Sequence, residues 1–344
     1  MKKLHSIESV KNFKVEKERK LHSATHLEIQ EGFTSDVYFV RTAEVLAHAG
    51  KENVHTIAEI FSSKEGIFAG TEEVCNLLKD SEVSLWALKE GEEMAHKEVV
   101  MQISGLYKDY GIYETAILGM LASASGWASA ARNCKEAAQT LPVFCFGARH
   151  LHPSVAPVME RAAIIGGANN CSCILGAKLL GKEPIGTVPH TAILIIGDTL
   201  EAALHYNDSM PPDSPRIILV DTFKDEAEES LRLAESLKEK LHGVRLDTPG
   251  ERGGVTPALV KEVRARLDQA GYEKVQIFVS GGITPERIIE LADAGADAFG
   301  VGSYIAGTKA IDMTLDLKEI EGKPIAKRGR IPGITSNPRL EKFL

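Results

Sequence analysis

The chain has no apolar run approaching the roughly 18 residues that a membrane-spanning helix needs, so no membrane partner is expected. Nor is there an excess of positive charge, because 40 Lys and Arg stand against 48 Asp and Glu for a net charge of -8. A nucleic-acid footprint over the whole molecule is thereby excluded, and any cations that meet an anionic substrate must be local. Cysteine is sparse and odd in number. Cys75, Cys134, Cys145, Cys171 and Cys173 read as reduced thiols, which fits a cytoplasmic protein. Cys171 and Cys173 would share one strand face, but no second Cys or His pair completes a zinc site, so packing is the reading and no metal ligands are assigned. Internal repeats and low-complexity linkers are absent. The first residues, Met1 to Ser6, lead into charged sequence rather than an apolar core of about 7–15 residues, so no secretory leader is expected.

What is present is ordinary globular composition, 44% hydrophobic and 26% charged over 344 residues, long enough for about two domains. From Val143 onward, apolar runs alternate with helical segments. Val143 to Phe146, Cys171 to Leu175, Pro184 to Val188, Ile217 to Val220, Val244 to Leu246, Gln276 to Val279 and Ala298 to Val301 read as strands or strand ends. Helices begin at Pro153, Pro257 and Pro285, the last two behind Thr256 and Thr284. This alternation predicts an α/β fold, an incomplete or irregular (β/α) barrel over residues 126–309, with the site at the C-terminal strand ends. Residues 1–125 read as an α+β N-terminal domain. Residues 310–344 read as a tail that packs back on it, and Lys327-Arg328-Gly329-Arg330 as solvated tail rather than a nucleic-acid patch.

The most informative stretch runs from Val275 to Tyr304. One strand ends in Ser280-Gly281-Gly282 and the next in Gly300-Val301-Gly302-Ser303, so side chains are missing where backbone N–H groups would approach an anion. Such loops late in a βα series match the phosphate site of barrels, which follows the seventh and eighth strands. The other strand ends supply Phe146 and Arg149, Asn169, His190, Asp221, and Arg245 with Asp247. An aromatic face beside a cation suits a flat anionic ring, paired carboxylates suit ribose hydroxyls or a magnesium ion accompanying a polyphosphate, and a neutral imidazole suits nucleophilic or proton-carrying work. Tyr38, within Thr34 to Phe39, reads by itself as a core strand residue.

Taken in order, Asp36-Val37-Tyr38-Phe39, Tyr113-Glu114-Thr115, Phe146-Gly147-Ala148-Arg149, Gly186-Thr187-Val188-Pro189-His190, Leu219-Val220-Asp221-Thr222-Phe223, Arg245-Leu246-Asp247-Thr248-Pro249, Ser280-Gly281-Gly282 and Phe299-Gly300-Val301-Gly302 resemble the nicotinate phosphoribosyltransferases of the type II phosphoribosyltransferase group. The resemblance implies that nicotinate and 5-phosphoribosyl 1-diphosphate, with Mg2+, give nicotinate mononucleotide and diphosphate, with ATP as a coupled co-substrate in pyridine nucleotide biosynthesis. It implies a homodimer or higher homo-oligomer with a shared site. Phe146 would stack on the pyridine ring and Tyr38 of a neighbouring copy would cover its other face. Arg149 and Asn169 would lie at the base, Asp221, Arg245 and Asp247 would orient the ribose, and Ser280, Gly281, Gly282, Gly300, Gly302 and Ser303 would bind the 5-phosphate. His190 resembles the histidine phosphorylated by ATP. Asn169 replaces an acidic residue of many relatives, which suits an anionic base, and the C-terminal four-cysteine zinc knuckle of some relatives has no counterpart after Cys173. The alternatives are transfer to another pyridine base, quinolinate or nicotinamide, and a non-catalytic phosphate or nucleotide sensor. His190 argues against quinolinate, whose branch lacks a phosphohistidine and needs more cations.

Overall fold

The structure, a computed structural model, describes Leu4 and residues 6–344. Met1 to Lys3 and His5, part of the opening stretch from which no leader is expected, lie outside the described residues. The chain forms two compact units, one of residues up to Ser129 with Lys309–Leu344, the other Ala130–Thr308.

In the first unit an antiparallel sheet runs in the order Lys323–Pro324, Met313–Ile320, His55–Ser62, Val99–Leu106, Val83–Ala87, Glu341–Lys342. Val99–Leu106 alternates buried and half-buried positions from Met101 onward, the period of a strand with one face on a core. That face carries Met101 and Ile103, which join Ile60, Leu85, Ile117 and Leu121 in one buried cluster. The tail thus contributes three strands to this unit. Its basic cluster is partly neutralised there. Asp316 pairs with Lys327 at 3.2 Å and Arg330 at 3.0 Å, and the Arg330 guanidinium lies 4.8 Å from the centre of the Phe61 ring. One expectation fails in this unit, for Tyr38 stands on a helix, Val37–His48, and is 53% exposed. Asp36 occupies the N-cap position, and only Phe39 and Val40 of the helix are buried. The short apolar run Val37 to Val40 carries too little period to separate strand from helix.

The second unit is built on a wholly parallel sheet in the order Asn170–Cys171, Val143–Cys145, Ala298–Val301, Gln276–Val279, Gly243–Leu246, Ile217–Leu219. Its strands are short and apolar. Ile217–Leu219 and Ala298–Val301 are buried at every position, as expected where both faces are covered. Covering helices include Ala156–Ile165, Glu226–Leu237, Pro257–Gln269 and Pro285–Asp293. Thr256 and Thr284 cap the last two by accepting from Leu259 N–H and Arg287 N–H. The sheet is an open barrel of six strands, so the two glycine-bearing strand ends belong to the last two of six rather than to a seventh and eighth. Ala298–Val301 and Gln276–Val279 are neighbours near its centre. Residues 184–188, expected as a strand, join no ladder. Ile185 N–H donates to Cys171 O at 2.9 Å and the chain then enters the helix His190–Ile196.

Candidate active site

The C-terminal ends of the parallel strands open on a cavity of about 390 Å³. Gly243–Leu246 delivers Arg245 and Asp247 to its wall, and Gln276–Val279 delivers Ser280, Gly281 and Gly282. These side chains are tied together. Arg245 Nε donates to Ser280 Oγ at 2.8 Å, Nη1 donates to Thr187 Oγ1 at 2.8 Å, and Nη2 lies 3.5 Å from Asp247 Oδ2. Ser280 Oγ in turn donates to Asp247 Oδ1 at 2.7 Å. Burial lowers the affinity of Arg245 for its proton, Asp247 and Asp221 work against that effect, and the nearby Arg149 cation adds to it. Ser280, 2% exposed, has its hydroxyl proton committed to Asp247. It therefore serves to orient the carboxylate, a different task from the phosphate contact expected of it.

The glycines divide by what their missing side chains permit. Gly281 and Gly282 both have left-handed backbones, φ 88° and 64°. A Cβ on Gly281 would meet Asp247 Oδ1 at 3.0 Å, whereas one on Gly282 would meet nothing within 4 Å. This consecutive pair lines the cavity just before the helix Pro285–Asp293, with no side chain between its backbone and the open space. Gly300 and Gly302 also line the cavity, with Ser303, but they make room for the loop after Val143–Cys145. A Cβ on Gly300 would stand 2.6 Å from Phe146 Cε2, and one on Gly302 would stand 2.8 Å from Phe146 O and 3.0 Å from His150 Nε2. The Phe146 ring packs beside Phe278 with centroids 5.9 Å apart and 12° between planes, and Arg245 Cζ lies 5.2 Å from its centre. Arg149 and His150 follow on the same wall.

His190 and Asp221 do not line this cavity but find each other. His190 Nε2 lies 2.9 Å from Asp221 Oδ2, with the carboxylate 2% and the imidazole 37% exposed. A proton on Nε2 is held by this contact, which leaves the Nδ1 lone pair available. Asn169 also lies outside the cavity lining. Its side-chain oxygen accepts from Val143 N–H at 3.0 Å and its backbone carbonyl accepts from Lys182 Nζ at 3.2 Å, so it closes the sheet edge. Ser172, three residues on, reaches the cavity instead. Tyr38 belongs to the first unit, where it lines a separate cavity with Asp36 and Glu114.

Four residues escaped the sequence reading: Thr187, His150 and Ser172, which line the cavity, and Glu160, which accepts from Gly147, Ala148 and Cys173 N–H on its flanking loops. Thr187 stood inside the Gly186 to His190 motif and His150 beside Arg149, so proximity to named residues was the available signal. Glu160 had a sharper one, since Ala156, Met159, Glu160 and Ala163 fall at i, i+3, i+4 and i+7, which sets a carboxylate in a buried helical stripe.

An open parallel barrel whose strand ends bring Arg245 and Asp247 beside two glycine-bearing loops has the fold of the type II phosphoribosyltransferase group. Two domain families match in tandem, described as quinolinate phosphoribosyl transferase, N-terminal domain, over residues 36–125, and quinolinate phosphoribosyl transferase, C-terminal domain, over residues 127–316. The chain belongs to the quinolinate phosphoribosyltransferase family. It is 44% identical to a solved structure of nicotinate-nucleotide pyrophosphorylase from Pyrococcus furiosus, covering 92% of this chain and 82% of that one, with a TM-score of 0.87. A nicotinate phosphoribosyltransferase of Mycobacterium tuberculosis is 32% identical over 248 residues, 69% of this chain and 52% of the relative. The human nicotinic acid phosphoribosyltransferase structure shares the fold at 19% identity and a TM-score of 0.71, over 88% of this chain and 77% of that one. The chain spans about half the length of the mycobacterial relatives it matches. The family's description names quinolinate, the alternative base, where the sequence reading put nicotinate first. Among the described residues, no helix is long and apolar enough to cross a membrane.

Proposed function

We propose that the protein transfers a 5-phosphoribosyl group from 5-phosphoribosyl 1-diphosphate to the ring nitrogen of a pyridine carboxylate, releasing diphosphate. The observation that carries this reading is the held set Thr187, Arg245, Ser280 and Asp247 facing the Gly281-Gly282 cradle. The cradle, with Gly302 and Ser303 beside it, takes the 5-phosphate. Asp247, fixed by Ser280 and Arg245, accepts from ribose hydroxyls and faces the positive charge that develops on the sugar as diphosphate departs. Phe146 supplies an apolar face and Arg149 a cation for the base. Mg2+ would accompany the diphosphate substrate, held mainly by its oxygens.

Nicotinate is the first reading of the base; Arg245 is already engaged by three partners, and a monocarboxylate asks less of the remaining cations than a dicarboxylate, whereas the family's description points to quinolinate. The His190 pair supports ATP coupling. Asp221 holds Nε2, and Nδ1 attacks the γ-phosphorus of ATP, forming an N–P bond as ADP leaves. Quinolinate is the second reading, favoured by the family's description and by the name of the Pyrococcus structure. Product mass spectrometry with 5-phosphoribosyl 1-diphosphate, Mg2+ and equimolar nicotinate, nicotinamide and quinolinate, with and without ATP, separates them. Faster nicotinate consumption with ATP supports the first reading. Quinolinate consumption indifferent to ATP replaces it with the second, and no nucleotide from any base leaves a sensor.

The working unit in this proposal is a homo-oligomer in which a second copy brings Tyr38 to the base. Exposed apolar side chains on the barrel unit, Ile174 at 71%, Leu194 at 58% and Ile195 at 80%, suit burial against such a copy. A fully active monomer in sedimentation during turnover would refute it.

A further inference from the structure

The carboxylate of Glu160, fully buried on the helix Ala156–Ile165, is the meeting point of two loops that form the cavity wall. Its Oε1 accepts from Gly147 N–H at 3.0 Å, Ala148 N–H at 2.9 Å and Ser172 Oγ at 3.1 Å, and its Oε2 accepts from Cys173 N–H at 2.5 Å. The first loop leaves Val143–Cys145 and carries Phe146 and Arg149. The second leaves Asn170–Cys171 and carries Ser172. The strands pair in parallel through Phe144 with Asn170 and Cys145 with Cys171, and Ser172 N–H still donates to Cys145 O at 3.0 Å, so it is from Phe146 on one side and Cys173 on the other that the ladder no longer fixes the loop separation.

The carboxylate is itself fixed by packing. A Cβ on Gly147 would stand 2.5 Å from Met159 Cε, and one on Gly176 would stand 3.2 Å from Glu160 Cβ, so small residues let the first loop and the helix Ile174–Lys178 that follows the second loop close on this helix. A buried carboxylate is costly unless its oxygens are met by donors. Here three backbone N–H groups and one hydroxyl meet it, and these donors would otherwise be left without a partner at the strand ends.

We propose that Glu160 is a positioning residue for the base: it sets the distance between the Phe146 to Arg149 loop and the Ser172 loop, and through it the width of the slot that receives the pyridine carboxylate. The inference rests on the phosphoribosyltransferase reading of the cavity. It separates the base from the sugar phosphate, because Gly281, Gly282 and Asp247 stand on other strands, which Glu160 does not touch.

Glu160→Gln keeps the shape but leaves one carbonyl oxygen and turns an NH2 toward one set of donors, so the backbone amides of one loop keep their acceptor while those of the other lose it. Hydrogen exchange of the Gly147, Ala148 and Cys173 amides should then speed on one loop only. The KM for the base should rise about tenfold, the effect of losing a hydrogen bond to a charged acceptor, with the KM for 5-phosphoribosyl 1-diphosphate unchanged. Both KM values rising together, or unchanged exchange at all three amides, would overturn the assignment. Should Glu160→Gln not fold, Ser172→Ala removes one donor without altering the carboxylate. A higher base KM alone supports the tether, and two unchanged KM values sink it. If the wild-type protein transfers to no base, the functional reading fails, and the amide exchange still decides whether Glu160 ties the loops.

Discussion

Replacing Gly300 with Ala adds one methyl group at the floor of the cavity, and the structure states what it meets. The new Cβ would lie 2.6 Å from Phe146 Cε2, 2.7 Å from Phe146 Cδ2 and 3.1 Å from Phe278 Cε1. Carbon atoms rest at about 3.5–4.0 Å, so the Phe146 ring must withdraw by about 1 Å. Phe278 and Arg245 crowd it, with centroid and guanidinium distances of 5.9 and 5.2 Å. Overpacking of this kind costs about 1–3 kcal/mol. In a unit of this size that lowers Tm by about 2–4 °C for each kcal/mol. A ring displaced from the base slot should also raise the base KM, about tenfold if ~1.4 kcal/mol of contact is lost. Differential scanning fluorimetry and initial rates read the two effects. Phe146→Leu in the Gly300→Ala background removes the clash, so the double variant should recover Tm but not base affinity. An unchanged Tm and base KM in Gly300→Ala, or no recovery in the double variant, would refute the reasoning.

Asp221→Asn should leave slow transfer to the base but cut the ATP-stimulated rate about 100-fold or more, since the amide no longer favours the proton on His190 Nε2. Quantifying acid-labile phosphohistidine from labelled ATP checks it, and wild-type labelling would remove the pair from that role. In the first unit the Glu114 carboxyl is pushed up to about 7, chiefly by burial and further by Asp316, with Lys327 opposing. A folded pKa above the ordinary carboxylate value means that the stabilising contribution is complete below pH ~4.5 and is lost as pH rises through about 7. Wild-type Tm should therefore fall more between pH 5 and 8 than that of Glu114→Gln, whose profile should be flatter, and parallel profiles would contradict the assignment.

Much of the barrel was legible because its signals are local. Thr284 and Pro285 open a helix and Gly295 with φ 104° closes it, each by backbone chemistry that needs no distant partner. The runs Ile217–Leu219 and Ala298–Val301 announce strands buried on both faces. Residues 184–188 differ for the converse reason, as a short Pro-flanked segment has strand composition whether or not a ladder partner exists. At the site, Phe146, Arg149, Arg245, Asp247 and the glycines converge as their strand-end positions suggest. Sequence was silent on how the glycines divide their work. Gly282 faces open space and Gly300 faces a phenyl ring, a distinction set by a side chain from residue 146. The loss of Asn169 to a sheet edge is likewise a matter of which residue faces a neighbouring strand, which one residue of register decides.

The central claim is that the strand-end cavity transfers a phosphoribosyl group under the control of Asp247. The most direct measurement is diphosphate release and nucleotide formation from 5-phosphoribosyl 1-diphosphate, Mg2+ and a pyridine carboxylate, by wild-type protein and Asp247→Asn at matched Tm. The account predicts stoichiometric nucleotide and diphosphate from wild type and a fall of about 100-fold or more in the variant; no nucleotide from either protein, or equal rates from both, would contradict it.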